Sequence, residues 1–378
     1  MPRTISIAAV QMDAKPAPLQ DRLRRAADQI SAAARAGAQL VVLPEIFNLG
    51  YAYDDANYAL TETLDGPTAT WMKGQAKTHG LHLAGSLLIR DGLDVFNTSL
   101  LISPEGRVWR YNKNYPWAWE RAYFREGHGI TIADTSLGQL GMMICWDFAH
   151  PDLWRQYAGQ VDALVITSCP CVADEPTLEF GDGTRIVTRE LSGLPPTRVG
   201  TDMVFGQDMD AWAKWIGVPV VNTTASGLFR TRVPASLITL GGLIAALRPD
   251  FIGKLLKNPS SLIYEAEHQR QTKVINAKGE VVARVTEAGD HFTLAEVLLA
   301  DTPPQPSQPE PTIGATALSH FISDWFVPLM MIPIYRAGLH KQFGPQYAPI
   351  DRRTRMWSMG LLMALIVGFV IGCGRRRS

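Results

Sequence analysis

The stretch that most limits what this chain can fold into is Gly138-Gln-Leu-Gly-Met-Met-Ile-Cys-Trp-Asp-Phe-Ala-His-Pro-Asp152. Met142, Met143 and Ile144 form a short apolar run suited to a core strand, and Pro151 suits the first position of a helix over residues 151–158. Cys145 then stands on a strand-to-helix turn. Such a turn exposes a side chain at a sheet's end and aims backbone N–H groups, here that of Trp146, at anything the sulfur attacks. A buried cysteine alone is an ordinary core residue. Two further residues give this one a chemical setting.

Glu45 follows the β-type run Leu40-Val-Val-Leu-Pro44, so a carboxylate meets the core at a strand's end. Lys113 lies in Arg110-Tyr-Asn-Lys-Asn-Tyr-Pro-Trp-Ala-Trp-Glu120, just after a hairpin-like segment turning at residues 103–106. With Pro44-Glu45, Lys113 and Cys145-Trp146-Asp147 in this order, the chain resembles the nitrilase superfamily of carbon–nitrogen hydrolases. The resemblance covers about residues 3–300. It implies an α/β fold, a four-layer α-β-β-α sandwich, with Glu45, Lys113 and Cys145 catalytic. It also matches Glu120 to a second acidic position that orients the lysine or the substrate, and it places Cys169 in the pocket wall.

The element pattern agrees with layered sheets covered by helices. Strands are expected at residues 5–12, 41–44, 81–90, 97–103, 106–111, 161–168, 218–222 and 292–299. A hairpin is expected over 272–286, and helices over 19–36, 68–79 and 203–216. Residues 173–198 are rich in Gly, Pro and charge, with 179–184 a clear loop. Leu153, Trp154 and Tyr157 form an aromatic-apolar helical face, and because family members pair near it, a homodimer or higher homo-oligomer is expected there.

The 36 basic and 36 acidic residues balance, so no global field points to nucleic acid. Four cysteines are too few and scattered for a disulfide framework, and Cys169-Pro-Cys171 lacks a second ligand pair at zinc-like spacing. No metal and no cofactor are expected. No apolar core with a cleavage site opens the chain, so a cytoplasmic catalytic domain is the expectation.

Two regions depart from a plain hydrolase. Residues 235–257 are an apolar insertion, a core helix or an interfacial segment with Arg248, Lys254 and Lys257 toward anionic headgroups. Five prolines within residues 301–311 form an extended linker, so residues 1–300 read as the catalytic domain and 301–312 as the linker. Residues 313–350 read as a membrane-proximal amphipathic segment, with 321–335 interrupted by Pro328 and Pro333 and lying on a membrane or on the domain. Residues 356–374 carry no charge and suit a transmembrane helix, about the thickness of a hydrocarbon core. Flanking arginines are equal in number, so orientation stays open.

The chemistry follows from residue types. A thiol attacks only as thiolate, so Cys145 needs a base, and Glu45 can take the proton. Lys113 would lower the sulfur's pKa and, with the Trp146 N–H, hold the oxyanion. Loss of an amine leaves a thioester that Glu45-activated water hydrolyses. Tyr115, Trp117 and Trp119, where the chain departs from the family, would shape an apolar or amphiphilic amide or nitrile site. Acyl transfer to an amine by the same thioester, and a membrane-tethered inactive scaffold, are the competing readings.

Overall fold

The computed structural model describes residues 3–170, 176–191 and 203–347. The expected transmembrane stretch 356–374, Cys171 and Cys373 lie outside the described residues.

One sheet is ordered β12-β1-β2-β3-β4-β5, with β17 added on β1. Its strands are β1 (Arg3–Asp13), β2 (Leu40–Val42), β3 (His82–Asp91), β4 (Asp94–Ile102), β5 (Val108–Asn112), β12 (Ala225–Ser226) and β17 (His291–Leu299). The second is ordered β16-β15-β11-β8-β7-β6. It holds β6 (Ile132–Thr135), β7 (Gly138–Ile144), β8 (Ala163–Thr167), β11 (Val220–Thr223), β15 (Lys273–Ile275) and β16 (Val281–Arg284). Central strands are parallel: β1 to β2, β2 to β3, β7 to β8 and β8 to β11. They are covered on both faces and therefore read as unbroken apolar runs.

Helices Leu19–Arg35 and Pro67–His79 cover the outer face of the first sheet. They bury Leu23, Ala26, Ile30 and Ala33, and Ala69, Met72 and Ala76, at helical spacing. Helices Pro151–Tyr157 and Met209–Ile216 cover the second sheet, and one cluster runs from Ile5, Ile7 and Val42 through Met142 and Ile166 to Trp154 and Trp212. The result is a four-layer α-β-β-α sandwich. At Gly141 an added Cβ would stand 2.8 Å from the Tyr157 ring, so only glycine lets that helix lie this close.

Three expectations are corrected. First, the loop expected at residues 179–184 is the turn of a hairpin whose strands were not foreseen: β9 (Thr177–Glu179) and β10 (Arg185–Val187) pair around Gly183. With β13 (Leu228–Arg232) and β14 (Ile263–Glu267) they build a third, four-stranded sheet. Arg185 and Arg230 each pair with both Glu179 and Glu265 across its exposed face, which is why so charged a segment forms strands. Second, Leu153, Trp154 and Tyr157 are core, not a dimer surface: Trp154 Nε1 donates to the Phe148 carbonyl and the Tyr157 hydroxyl to that of Met142. Third, Pro328 and Pro333 do not interrupt the C-terminal segment. It runs as one helix from Ala317 to Phe343, taking a π-helical stretch at Phe321–Phe326 just ahead of Pro328. Burial of Val327, Met330, Met331, Tyr335 and Leu339 against the domain outweighs the roughly 3 kcal/mol an interior proline costs.

The insertion forms three short helices, Ser236–Thr239, Gly241–Leu247 and Pro249–Lys257. Ile244, Phe251 and Leu255 face inward, while Leu237, Ile238, Leu243, Leu247 and Leu256 are exposed. The helix Ala317–Phe343 is long and apolar enough to cross a membrane by length and composition. One face is packed on the domain, and the opposite face exposes Leu318, Phe321, Ile322, Trp325 and Leu329.

Candidate active site

Four strand ends meet at the site. After β2 the chain turns at Glu45, whose N–H bonds the Ser168 carbonyl beyond β8 at 3.3 Å, and Thr223 Oγ1 bonds the Leu43 carbonyl at 3.0 Å. β5 delivers Lys113, whose N–H is held by the Asn97 carbonyl of β4 at 2.9 Å. β7 ends at Cys145, the first residue of a tight turn leading into helix Pro151–Tyr157.

Lys113 Nζ lies 2.8 Å from Glu45 Oε1 and 2.7 Å from Glu120 Oε2, with all three side chains essentially inaccessible. Asn97 Nδ2 also donates to Glu45 Oε1 at 2.7 Å. Glu45 Oε2 is buried with no hydrogen-bond partner among the described residues. Glu120 accepts the Trp117 N–H at 2.7 Å and stands in this cluster, not in a surface pair: Arg121 binds Glu126, and Arg125 binds Asp94. The backbone is left-handed at Cys145 (φ 48°), at Ile46 beside Glu45 (φ 46°) and at Ala118 beside Glu120 (φ 43°). Each costs on the order of 1–3 kcal/mol, so strain gathers at all three site turns.

Burial alone would lower the Lys113 ammonium, but the Glu45 carboxylate beside it raises it, so it is a cation at neutral pH. Burial and then Glu45 push the Glu120 carboxyl well up, with the Trp117 N–H opposing. Lys113 acts on the sulfur in the expected direction, downward, but it is outweighed. Burial and then Glu45 raise the Cys145 thiol well above its ordinary range, and Lys113 only partly offsets them. The resting sulfur is therefore a thiol.

Asp147, wholly buried, joins the cysteine turn to the lysine loop. Its Oδ1 accepts the Asn114 and Tyr115 N–H groups at 3.0 and 2.8 Å, and its Oδ2 accepts the Tyr111 hydroxyl at 2.8 Å and the Ile144 N–H at 3.1 Å. Burial carries its carboxyl up to about 6 against these bonds and the Lys113 charge.

The aromatic residues divide. Trp119 and Cys169 join a buried cluster with Tyr53, Phe229 and Tyr264, and Trp117 packs edge-on to Trp119 at 6.1 Å. Cys169 Sγ is 3.6 Å from His268 Nδ1, and burial lowers that imidazole to about 4. Tyr115 lies elsewhere. It stacks on His150 at 3.5 Å and bonds Asp152 at 2.9 Å, in the wall of a recess of about 500 Å³ beneath the C-terminal helix, whose walls hold none of Glu45, Lys113, Glu120 or Cys145. Trp146 reaches that helix through Asp324. Phe148 is core against Phe205 and lines no entrance.

Sequence reasoning missed Asn97, although a polar residue in an apolar strand is a readable signal, and it missed Asp324, which no local pattern brings to Trp146.

A four-layer sandwich that brings Glu, Lys and Cys to converging strand ends is the arrangement the resemblance to carbon–nitrogen hydrolases implied. Residues 6–180 match the carbon-nitrogen hydrolase family, and over that part the chain is similar to curated nitrilases and amidases. A nitrilase from Pyrococcus abyssi is 28% identical over 158 residues, 41% of this chain and 60% of that protein. The 2-oxoglutaramate amidase of Bacillus subtilis is 32% identical over 125 residues, 32% of this chain and 48% of its own length, so less than two thirds of either relative is spanned. Among solved structures, an amidase from Nesterenkonia sp. superposes with TM-score 0.56 at 17% identity, covering 77% of this chain and 89% of that one. The Xanthomonas campestris CN-hydrolase superfamily protein XC1258 superposes with TM-score 0.55 at 16% identity, covering 79% and 91%.

Proposed function

We propose that this protein hydrolyses a nonpeptide carbon–nitrogen bond, that of an amide or nitrile, through a Cys145 thioester. The observation that carries the reading is Lys113 Nζ held between Glu45 and Glu120, all three close enough to Cys145 for their charges to act on its sulfur.

Because the resting sulfur is protonated, attack must be coupled to proton transfer. Glu45 Oε2, buried and without a hydrogen-bond partner among the described residues, is the acceptor. The sulfur adds to the amide carbon and the oxyanion forms against the Lys113 cation and the Trp146 N–H. Collapse breaks the C–N bond, and the amine leaves with the proton held on Glu45. Water then adds to the thioester, Glu45 takes its proton and returns it to the departing sulfur, and the acid is released. Glu120 fixes the lysine head. Asp147 fixes the distance between the lysine loop and the cysteine turn.

The substrate read here is apolar or amphiphilic. Trp117, Trp119 and Cys169 give an apolar wall, and burial of each substrate methylene contributes ~0.8 kcal/mol. The exposed apolar faces of the insertion and the C-terminal helix, with the uncharged stretch 356–374 beyond, support a membrane-bound enzyme taking its substrate at the bilayer surface. Incubating full-length enzyme and Cys145→Ala with amides of short and long acyl chain, with intact-mass detection of the acyl-enzyme, tests the reading. A covalent acyl adduct that forms on the native enzyme and is missing from Cys145→Ala is expected. Turnover unchanged in Cys145→Ala would end the covalent route.

A further inference from the structure

His150, His320 and Asp324 come from opposite ends of the chain and meet at the turn that carries Cys145. His150 caps helix Pro151–Tyr157 and directly follows that turn. His320 and Asp324 lie four residues apart on the C-terminal helix, hence on one face. His150 Nε2 is 2.9 Å and His320 Nδ1 2.8 Å from the same oxygen, Asp324 Oδ2, and the three side-chain ligand atoms all lie within 4.8 Å of one another.

We propose that these three side chains bind one divalent transition-metal ion of the zinc type, which clamps the C-terminal helix onto the catalytic turn.

The second nitrogen of His150 argues for this. His150 Nδ1 is 3.0 Å from the Trp146 carbonyl oxygen, which can only accept, so Nδ1 carries a hydrogen and the neutral ring turns the lone pair of Nε2 toward Asp324 and His320. An imidazole fixed by a backbone carbonyl on one nitrogen and presenting the other is the arrangement of a metal-ligating histidine. The ring is further held by stacking on Tyr115 at 3.5 Å. Asp324 is oriented in the same manner: its other oxygen accepts the Trp146 indole N–H at 2.6 Å, leaving Oδ2 toward the imidazoles.

Two imidazoles and one carboxylate suit zinc, whose ligand bonds are about 2.0–2.2 Å long, and do not suit magnesium or calcium, which take oxygen ligands. A tetrahedral ion needs ligand atoms about 3.3 Å apart, so the present contacts would open by a few tenths of an ångström. The side chains are 9, 28 and 18% exposed, which leaves a fourth position to water. The proposed clamp does not depend on Cys145 chemistry, so its test is separate from that of the hydrolase reading.

The test uses detergent-solubilised full-length protein, stripped with chelator and titrated with zinc(II) alone by calorimetry and with cobalt(II) alone by visible absorption. One equivalent with Kd below about 1 μM, a four-coordinate cobalt spectrum and a zinc-dependent rise in Tm are expected. His320→Ala should weaken binding roughly 100-fold, with His320→Gln as a second variant and metal-free circular dichroism confirming the fold of each. Asp324→Asn should weaken it as well while keeping an acceptor for Trp146. No saturable single-equivalent binding, or binding unaltered in the His320 and Asp324 variants, overturns the proposal.

Discussion

Trp146 Nε1 donates to Asp324 Oδ1 at 2.6 Å, so the residue beside the candidate nucleophile is held by a helix 178 positions further along the chain. Asp324→Ala would leave that indole N–H buried without a partner, a loss of about 1–3 kcal/mol. The expected outcome is a lower Tm and a lower kcat with KM little changed, partly restored in Asp324→Asn. Steady-state kinetics and thermal melts of the two variants check it, and equal kcat for Asp324→Ala and native protein would refute the positioning role.

Gly338 separates a docked helix from one lying in lipid. A Cβ there would stand 2.3 Å from the Tyr58 ring. In a free helix Gly→Ala adds about 1 kcal/mol of stability, but against Tyr58 it must push the helix away. Gly338→Ala should therefore lower Tm and raise hydrogen exchange across residues 327–343; a rise in Tm would contradict docking.

Glu45→Gln keeps the shape of the site and removes the base. A loss of about 10²–10⁴ in kcat is expected, with no acyl adduct by mass spectrometry. Lys113→Ala leaves buried carboxyls without their cation, and a loss of roughly 3–5 kcal/mol by urea unfolding is expected beside the loss of activity.

Asp147 gives a pH dependence of known sign. Its folded carboxyl is raised to about 6 from an ordinary 3.8, so its contribution to stability is fully present below the ordinary value and is lost as pH rises through about 6. Two units correspond to on the order of 3 kcal/mol. The unfolding free energy of native protein minus that of Asp147→Asn should shrink by about that amount between pH 4 and 7. A difference constant with pH would contradict the shift.

Truncation after Tyr347 keeps the docked helix and removes the uncharged stretch. The shortened enzyme should fold and act on short-chain amides as the full chain does, while losing rate on long-chain amides presented in anionic vesicles. Flotation with vesicles and paired rate measurements check this, and equal rates on both substrates would reduce the tail to a tether.

Much of the sandwich was legible because both sheets are made of local signals. β1, β2, β7 and β8 are apolar runs bounded by turn residues, and helices Leu19–Arg35 and Pro67–His79 carry their apolar spacing and a closing glycine. Glu45, Lys113 and Cys145 were legible for a related reason: each is a chemically distinctive residue placed at the end of such a run. What local pattern could not carry was the sum of nearby charges. Lys113 beside Cys145 suggested an acidic thiol, yet burial and Glu45 decide its pKa, and neither is visible until strand ends separated by many residues are brought together.

The third sheet and the C-terminal helix mark the same limit. β9 and β10 look like a charged loop until β13 and β14 supply Arg230 and Glu265 to complete the ion pairs. Pro328 and Pro333 argue locally against a helix, and the burial of Met331 and Tyr335 on the domain overrides them. Leu153, Trp154 and Tyr157 fit an interface by spacing alone, because an apolar stripe records that a face is covered but not by what. By itself the sequence determined the layered architecture and the three residues of the candidate site, since strand and helix periodicity and residue chemistry act over a few positions. Only tertiary structure decided the direction of the pKa shifts and the seating of Asp324 on Trp146, since desolvation and long-range hydrogen bonds depend on what lies across space.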